Sequence, residues 1–271
     1  MSRFEGIVTA PGSLAALAVT ALLLILIPVG AAVWWRRKHK DTTTLRYLIA
    51  GALGFLITVR VLELGVHYFC LLSDNSVSRF INGSTLAYVL YGIIMAGVFE
   101  ECGRYIIMKY IVKKDRTREN AVFYGIGHGG IEVLAVILPS IISLFYIALL
   151  FSKGDTAAAL SALNITEDIA AAAYPQVLTA ANYSLVSGAI TVVERILTMF
   201  VHTGLSVLVF YGVVNNKKGC LPLAIVLHMA VDTVPAIYQR GGVSIAVCEL
   251  WCAVWAAVIA FTAVKKYKKM Q

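Results

Sequence analysis

Residues 120–151 read NAVFYGIGHGGIEVLAVILPSIISLFYIALLF, a mostly apolar stretch in which Glu132 is the one acidic residue and His128 the one histidine. About 20 apolar residues are enough to cross the hydrocarbon core of a bilayer as a helix. The stretch therefore predicts a membrane-spanning helix. Burying an acid and a histidine inside such a helix costs free energy, so the two residues indicate a functional position.

Six other stretches have a similar length and apolar character. The seven predicted spans lie near 14–35, 46–70, 86–112, 120–151, 187–214, 221–238 and 244–264. The chain has 271 residues, of which 59% are hydrophobic and 14% charged, and its mean hydropathy is +0.81. A soluble domain could not bury that much apolar surface. We predict an all-α polytopic membrane protein with seven transmembrane helices and a single integral membrane domain over residues 1–271.

The positive charges predict how the spans are oriented. Sixteen of the 23 Lys and Arg residues fall in four segments on one predicted side, at 35–46, 109–118, 215–219 and 265–269. Cytoplasmic loops of membrane proteins carry an excess of Lys and Arg. The pattern predicts a multi-pass protein of the plasma membrane with its N-terminus outside and its C-terminus in the cytoplasm. The net charge of +8 is then explained by anchoring against anionic lipid, and no nucleic-acid partner is expected.

The longest predicted outer loop, 152–186, is rich in alanine. Asn164 followed three residues later by Glu167 is the pattern of a helix start. Pro175 cannot donate a backbone hydrogen bond and favours the end of a helix. We expect a short helix from about 165 to 174 in this loop.

Acidic and histidine residues of three spans lie at one predicted depth. They are Glu100 and Glu101, His128 and Glu132, and His228 and Asp232. At a rise of 1.5 Å per residue these positions, and His202 in the fifth span, are roughly 10–18 Å from the cytosolic boundary. Residues four apart share a helix face, so each histidine points the same way as the acid that follows it. We predict that these side chains converge in one cavity, open toward the cytosol, as a catalytic site.

The adjacent acids Glu100 and Glu101 point in directions about 100° apart around their helix. One can face the cavity while the other pairs with Arg104. The spacing of four favours pairing of Glu100 with Arg104. We therefore assign Glu101 as the base that activates water and Glu100 as its partner, and the reverse stays open. Glu132 either takes a direct part or orients His128.

A second polar set lies nearer the predicted outer face. Arg60 and Glu63 belong to a stripe on the second span that continues to His67, and Glu194 and Arg195 lie at a similar height on the fifth. Unpaired charges are costly there, so we predict structural ion pairs of Glu63 with Arg195 and of Arg60 with Glu194. The alternative is that they line a transport path.

The polar motifs resemble those of the CAAX-protease and bacteriocin-processing superfamily of intramembrane proteases. That superfamily usually has Glu-Glu-x-x-x-Arg, Phe-x-x-x-His and His-x-x-x-Asn. The similar motifs here are Glu100-Glu101-Cys102-Gly103-Arg104, Tyr124-x-x-x-His128 and His228-x-x-x-Asp232. This chain departs from the pattern by one missing residue before Arg104, by Tyr124 in place of Phe and by Asp232 in place of Asn.

The chain resembles the YhfC family of intramembrane metalloproteases more closely. The similar signatures are Gly127-His128-Gly129-Gly130-x-Glu132 and the pair Glu194-Arg195 followed by His202 and Ser206. The resemblance extends from about residue 50 to 240. It implies an intramembrane endopeptidase that cuts membrane-anchored or membrane-embedded polypeptides.

The residues leave the cofactor and one alternative function open. Zinc is possible, since His128, His202 and His228 together with carboxylates match the ligands of catalytic zinc. In a metal-free scheme a glutamate activates water and the histidines hold the oxyanion. A secondary transporter or proton-coupled channel could use the same acids and histidines as an ion site. A catalytically inactive relative is a third possibility, against which the intact acids and histidines argue.

Overall fold

The computed structural model describes residues 1–270. Seven helices within this part of the chain are long and apolar enough to cross a membrane, which confirms the predicted fold class. The helices are α1 (Ser13–Lys38), α2 (Leu45–Leu72), α3 (Ser76–Gly83), α4 (Thr85–Ile111), α5 (Arg118–Phe151), α6 (Thr156–Ala162), α7 (Glu167–Ala181), α8 (Leu185–Val214), α9 (Cys220–Gln239) and α10 (Ile245–Lys268). The short helices α3, α6 and α7 lie in the connections.

The described residues form two compact units. The first consists of Met1–Ile27 and Val133–Arg195, and the second of Pro28–Glu132 and 196–270. Within the first unit, the hydroxyl of Ser13 donates a hydrogen bond to the carbonyl oxygen of Ala181 at 3.0 Å. This bond fastens the beginning of α1 to the end of α7. All the acids and histidines of the predicted catalytic site belong to the second unit.

The helix expected at 165–174 begins later and is longer. α7 begins at Glu167 and continues through Pro175 to Ala181, while Asn164 lies in a left-handed turn with φ of 52° before it. A proline removes one backbone hydrogen bond from a helix. Ala170 and Val177 are buried on either side of Pro175, so packing offsets that loss. The prediction that Pro175 ends the helix was wrong.

Helices α2 and α5 approach each other closely because glycines lie between them. A Cβ atom on Gly127 would lie 2.1 Å from the carbonyl oxygen of Leu48, and one on Gly51 would lie 2.1 Å from that of Tyr124. No side chain fits at such distances, so the two backbones are in direct contact. His128, one residue after Gly127, is thereby held where α5 touches α2.

Glycines of α5 also allow this helix to approach α8 closely. A Cβ atom on Gly125 would lie 2.5 Å from the Cα atom of Thr203, and one on Gly129 would lie 3.4 Å from the Cβ of His202. The close approach brings the ring centroids of His128 and His202 to 4.9 Å. The glycines around His128 therefore set the distance between two of the candidate site residues.

Wider π turns occur in three of the long helices, and one of them, Ile107–Ile111, ends α4. The others cover Thr58–Glu63 and Tyr68–Leu72 in α2 and Val133–Ile137 in α5. In α5 the π turn precedes Pro139, whose missing N–H would otherwise break the ladder of an ordinary helix. Such turns are frequent at functional sites, and the first turn of α2 contains the buried Glu63, while the turn of α5 directly follows Glu132.

Candidate active site

Four helices contribute six polar side chains, all from residues of the second unit, to one group. They are Glu100, Glu101 and Arg104 from α4, His128 from α5, His202 from α8 and His228 from α9. Each is at most 7% exposed. A buried charge without partners is costly, so the stability of this arrangement depends on how the six groups pair.

Glu100 lies at the centre of the group. Its Oε2 atom is 2.9 Å from Nε2 of His128 and 3.6 Å from Nδ1 of His202. Its Oε1 atom is 3.9 Å from Nε2 of His228. One carboxylate therefore faces three imidazoles that come from three different helices.

Glu101 has a different set of partners. Its Oε1 atom accepts hydrogen bonds from the guanidinium of Arg104 and, at 2.8 Å, from Nδ1 of His228. A carboxylate can only accept, so the Nδ1 atom of His228 carries a proton. The Nε2 atom of the same ring lies 3.4 Å from Oδ2 of Asp232. Glu101 thus fixes the orientation of His228.

The predicted pairing of Glu100 with Arg104 was wrong, because Arg104 pairs with Glu101. Residues three and four apart are both neighbours on a helix, so spacing alone does not choose between the two acids. The choice comes from His128 and His228, which lie on other helices. The structure therefore has the arrangement that the sequence left open, with Glu100 facing the histidines.

His202 is held from both sides of its ring. Arg104 donates a hydrogen bond to Nδ1 at 3.2 Å, so the ring proton of His202 is on Nε2. That Nε2 atom lies 2.6 Å from Oε2 of Glu132. The sequence left open whether Glu132 takes a direct part or orients His128, its neighbour one turn away. In the structure its carboxylate lies against His202, which α8 presents to the same face of α5.

The structure places three potential metal ligands close together. One ligand atom each of Glu100, His128 and His202 lies within 4.8 Å of the other two, and all three residues are buried. Two imidazoles and a carboxylate are a known ligand set of catalytic zinc. The donor set therefore fits a zinc ion. The set expected from the sequence had His228 in place of Glu100, and His228 lies beside this group.

The second polar set is placed as follows. Glu63 is buried and its Oε1 atom lies 3.3 Å from Nε2 of His67. Arg195 forms an ion pair with its neighbour Glu194. Arg60 is exposed. The ion pairs of Glu63 with Arg195 and of Arg60 with Glu194 stay predictions.

Tyr91 was not recognised in the sequence. Its hydroxyl lies 2.8 Å from Nδ1 of His67 and extends the Glu63–His67 contact into α4. The sequence could have placed Tyr91 at the same height in the bilayer as His67. Tyr91 lies six residues after the start of α4, and His67 lies five residues before the end of α2. Tyrosine is common in membrane helices, so this signal alone would not have singled it out.

Comparison of the sequence with known proteins identifies the family to which this chain is similar. Residues 23–252 match the sequence model of a family described as YhfC intramembrane metalloprotease. A Bacillus subtilis (strain 168) protein described as an uncharacterized membrane protein, YhfC, is 34% identical over 259 residues, which cover 94% of this chain and 96% of that protein. No solved structure matches the chain.

Proposed function

The chain belongs to the YhfC family of intramembrane metalloproteases, and from that premise we propose that it hydrolyses peptide bonds of membrane-anchored or membrane-embedded polypeptides. It is a multi-pass membrane protein. The observation that carries the proposal is the buried carboxylate of Glu100, on which His128, His202 and His228 converge. Clusters of mutually perturbing ionisable groups in a buried site are typical of reaction centres.

The residues that would hold a metal are Glu100, His128 and His202. A zinc ion there would supply a Lewis acid that acidifies water and polarises the peptide carbonyl group. Glu132 supports this role, because its carboxylate lies on Nε2 of His202, and such a partner fixes a histidine ring and makes it a better ligand. The ligand atom of His202 would be Nδ1, where a metal would replace the hydrogen bond from Arg104.

His228 is the group best placed to move protons. Glu101 accepts a hydrogen bond from its Nδ1–H, so that its Nε2 atom faces the carboxylates of Glu100 and Asp232. The neutral ring has the lone pair of Nε2 available for a proton. We assign to this nitrogen the proton of the attacking water and its delivery to the departing amine. Asp232 stabilises the imidazolium cation while it carries that proton. Arg104 neutralises Glu101 and keeps it in place. Glu101 is then a positioning residue rather than the base.

Peptide hydrolysis by the purified protein tests the proposal. In zinc-containing proteoliposomes with a fluorogenic single-span polypeptide in isotopically labelled water, we expect cleavage with one labelled oxygen in each new carboxyl group. Protein-free vesicles serve as the control. Absence of cleavage together with proton or ion flux across the vesicle membrane would contradict the proposal and support the transporter alternative.

The orientation can be tested separately with single cysteines. In a background in which the five native cysteines are replaced, Ser161→Cys lies in the 152–186 segment and Lys269→Cys in the C-terminal tail. Both positions are exposed. A membrane-impermeant maleimide should label Ser161→Cys in intact cells and Lys269→Cys only after permeabilisation, because the Lys-rich segments stay in the cytoplasm. The opposite labelling pattern would reverse the topology.

A further inference from the structure

A cavity of about 260 Å³ lies between α2, α4 and α9 in the second unit. Its polar lining comes from Glu63, His67, Tyr88, Tyr91, Asp232 and Gln239. The cavity reaches Asp232, whose Oδ2 atom is 3.4 Å from Nε2 of His228. Its other end is at Tyr88 and Gln239, which are hydrogen-bonded to each other at 3.1 Å near the helix ends that the loop charges predict to be outside. The cavity therefore adjoins the candidate active site on the side of the outer face.

The lining of the cavity has acidic residues and no permanent cation, with His67 as its one histidine. It contains two carboxylates and, among the residues that line it, neither lysine nor arginine. The nearby cation Arg240 is engaged outside the lining, where its guanidinium stacks on the ring of Tyr88 at 4.8 Å and donates to the carbonyl oxygen of Asn82 at 2.5 Å. A ligand of this cavity should therefore carry a positive charge.

Glu63 has one buried carboxylate oxygen without a hydrogen-bond partner among residues 1–270. The residue is 4% exposed, and its Oε1 atom lies 3.3 Å from His67. The oxygen without a partner is Oε2. Buried acceptors are nearly always paired, so this carboxylate, which belongs to the lining of the cavity, has one oxygen left to accept from a group that binds beside it. His67 is itself fixed by Tyr91 at 2.8 Å, which holds the carboxylate in position.

We propose that this cavity is a substrate subsite for a primary ammonium group, such as a lysine side chain or a free amino terminus. The proposal rests on the proposed peptidase function for the identity of the ligand as a polypeptide. The volume is below the roughly 300–1,000 Å³ of sites for drug-sized molecules and suits one side chain. An ammonium group needs one free carboxylate oxygen, whereas a guanidinium binds best to both oxygens, and Oε1 of Glu63 is occupied by His67. The ring of Tyr91, which also lines the cavity, adds cation–π attraction.

Binding of n-butylammonium to the purified protein tests the site without any cleavage. The neutral n-butanol has nearly the same shape and is the matched ligand. We expect calorimetric binding of the ammonium ion only, and an affinity at least about tenfold lower in Glu63→Gln, because the charged acceptor is lost. Asp74→Asn removes a charge from an exposed residue outside the cavity and should bind as the wild type does. Equal binding to the wild type and Glu63→Gln, or to both ligands, would overturn the proposal.

Filling the cavity gives a second variant in case Glu63→Gln does not fold. Gly92 lines the cavity, and a Cβ atom there would meet no atom within 4 Å. Gly92→Leu should therefore be tolerated and should also weaken n-butylammonium binding at least tenfold by occupying the space. Gly30→Leu, at another position with open space, is the matched control. Unchanged binding by Gly92→Leu would overturn the proposal.

Cleavage of matched peptides separates this proposal from the proposed function. The peptides differ at one position near the cleaved bond, with lysine or its neutral isostere norleucine, and each is made with a free and an acetylated amino terminus. We expect at least a tenfold preference in kcat/KM for the peptide with the ammonium group, which Glu63→Gln abolishes. If the lysine side chain is the ligand, the lysine peptide is preferred to the norleucine peptide whether or not the amino terminus is acetylated. If the amino terminus is the ligand, the free form is preferred to the acetylated form. Glu63-dependent binding without any cleavage would refute the peptidase and leave the ammonium site, whereas cleavage without any such preference would refute the subsite alone.

Discussion

Replacing Glu100 by glutamine should lower kcat/KM for peptide cleavage by at least about 1,000-fold. Glutamine keeps the length of the side chain but removes the negative charge that faces His128, His202 and His228. It also removes the carboxylate from the potential metal ligands. The rate is measured in proteoliposomes with the fluorogenic polypeptide, and thermal melting shows whether the variant is folded. Glu167→Gln, at an exposed acid that begins α7, should cleave at the wild-type rate.

Glu101→Gln separates the two roles that the sequence left open. If Glu101 acts by orienting His228, its loss should cost about 10–100-fold, mostly in kcat, which is typical of a residue that supports a reacting group. If Glu101 were itself the base, its loss would equal or exceed that of Glu100. Normal cleavage by folded Glu100→Gln together with loss of cleavage in Glu101→Gln would restore the role first assigned to Glu101.

The sequence predicted the fold well because the bilayer sets the length of a spanning helix. The last span, for example, was expected to begin at 244 and begins at Ile245, although it ends at Lys268 instead of 264. The spacing of four residues also placed His228 and Asp232 on one face, and the structure has their side chains 3.4 Å apart. Both results follow from geometry within a single helix.

The errors concern contacts between helices. Glu132 pairs with His202 because α8 presents that ring at its height. Arg104 pairs with Glu101, within α4, because His128 of α5 occupies Glu100. Spacing along one helix carries no such information, so several partners are equally compatible with the sequence. The cavity beside Glu63 was missed for the same reason, since its lining comes from three helices. The continuation of α7 through Pro175 likewise depends on packing rather than on the local propensity of proline.

Metal analysis of histidine variants should distinguish the ligand set in the structure from the one suggested by the sequence. We expect purified protein to retain about one zinc per chain, with three protein ligands as in other catalytic sites. His202→Ala and His128→Ala should lose the metal and cleavage together, because each removes a member of the Glu100, His128 and His202 group. His228→Ala should retain the metal and still lose cleavage, since His228 lies beside the group and is oriented by Glu101.

Glu132→Gln gives an intermediate result in the same experiment. The carboxylate lies against the second nitrogen of His202, and removal of such a partner typically weakens metal affinity about 10–100-fold. Metal content is measured by elemental analysis and affinity by competition with a chelator, so neither depends on activity. Loss of zinc in His228→Ala would favour the three-histidine set predicted from the sequence. Active wild-type protein that holds no metal and is unaffected by chelators would refute the metal site and leave the scheme in which a glutamate activates water and histidines hold the oxyanion.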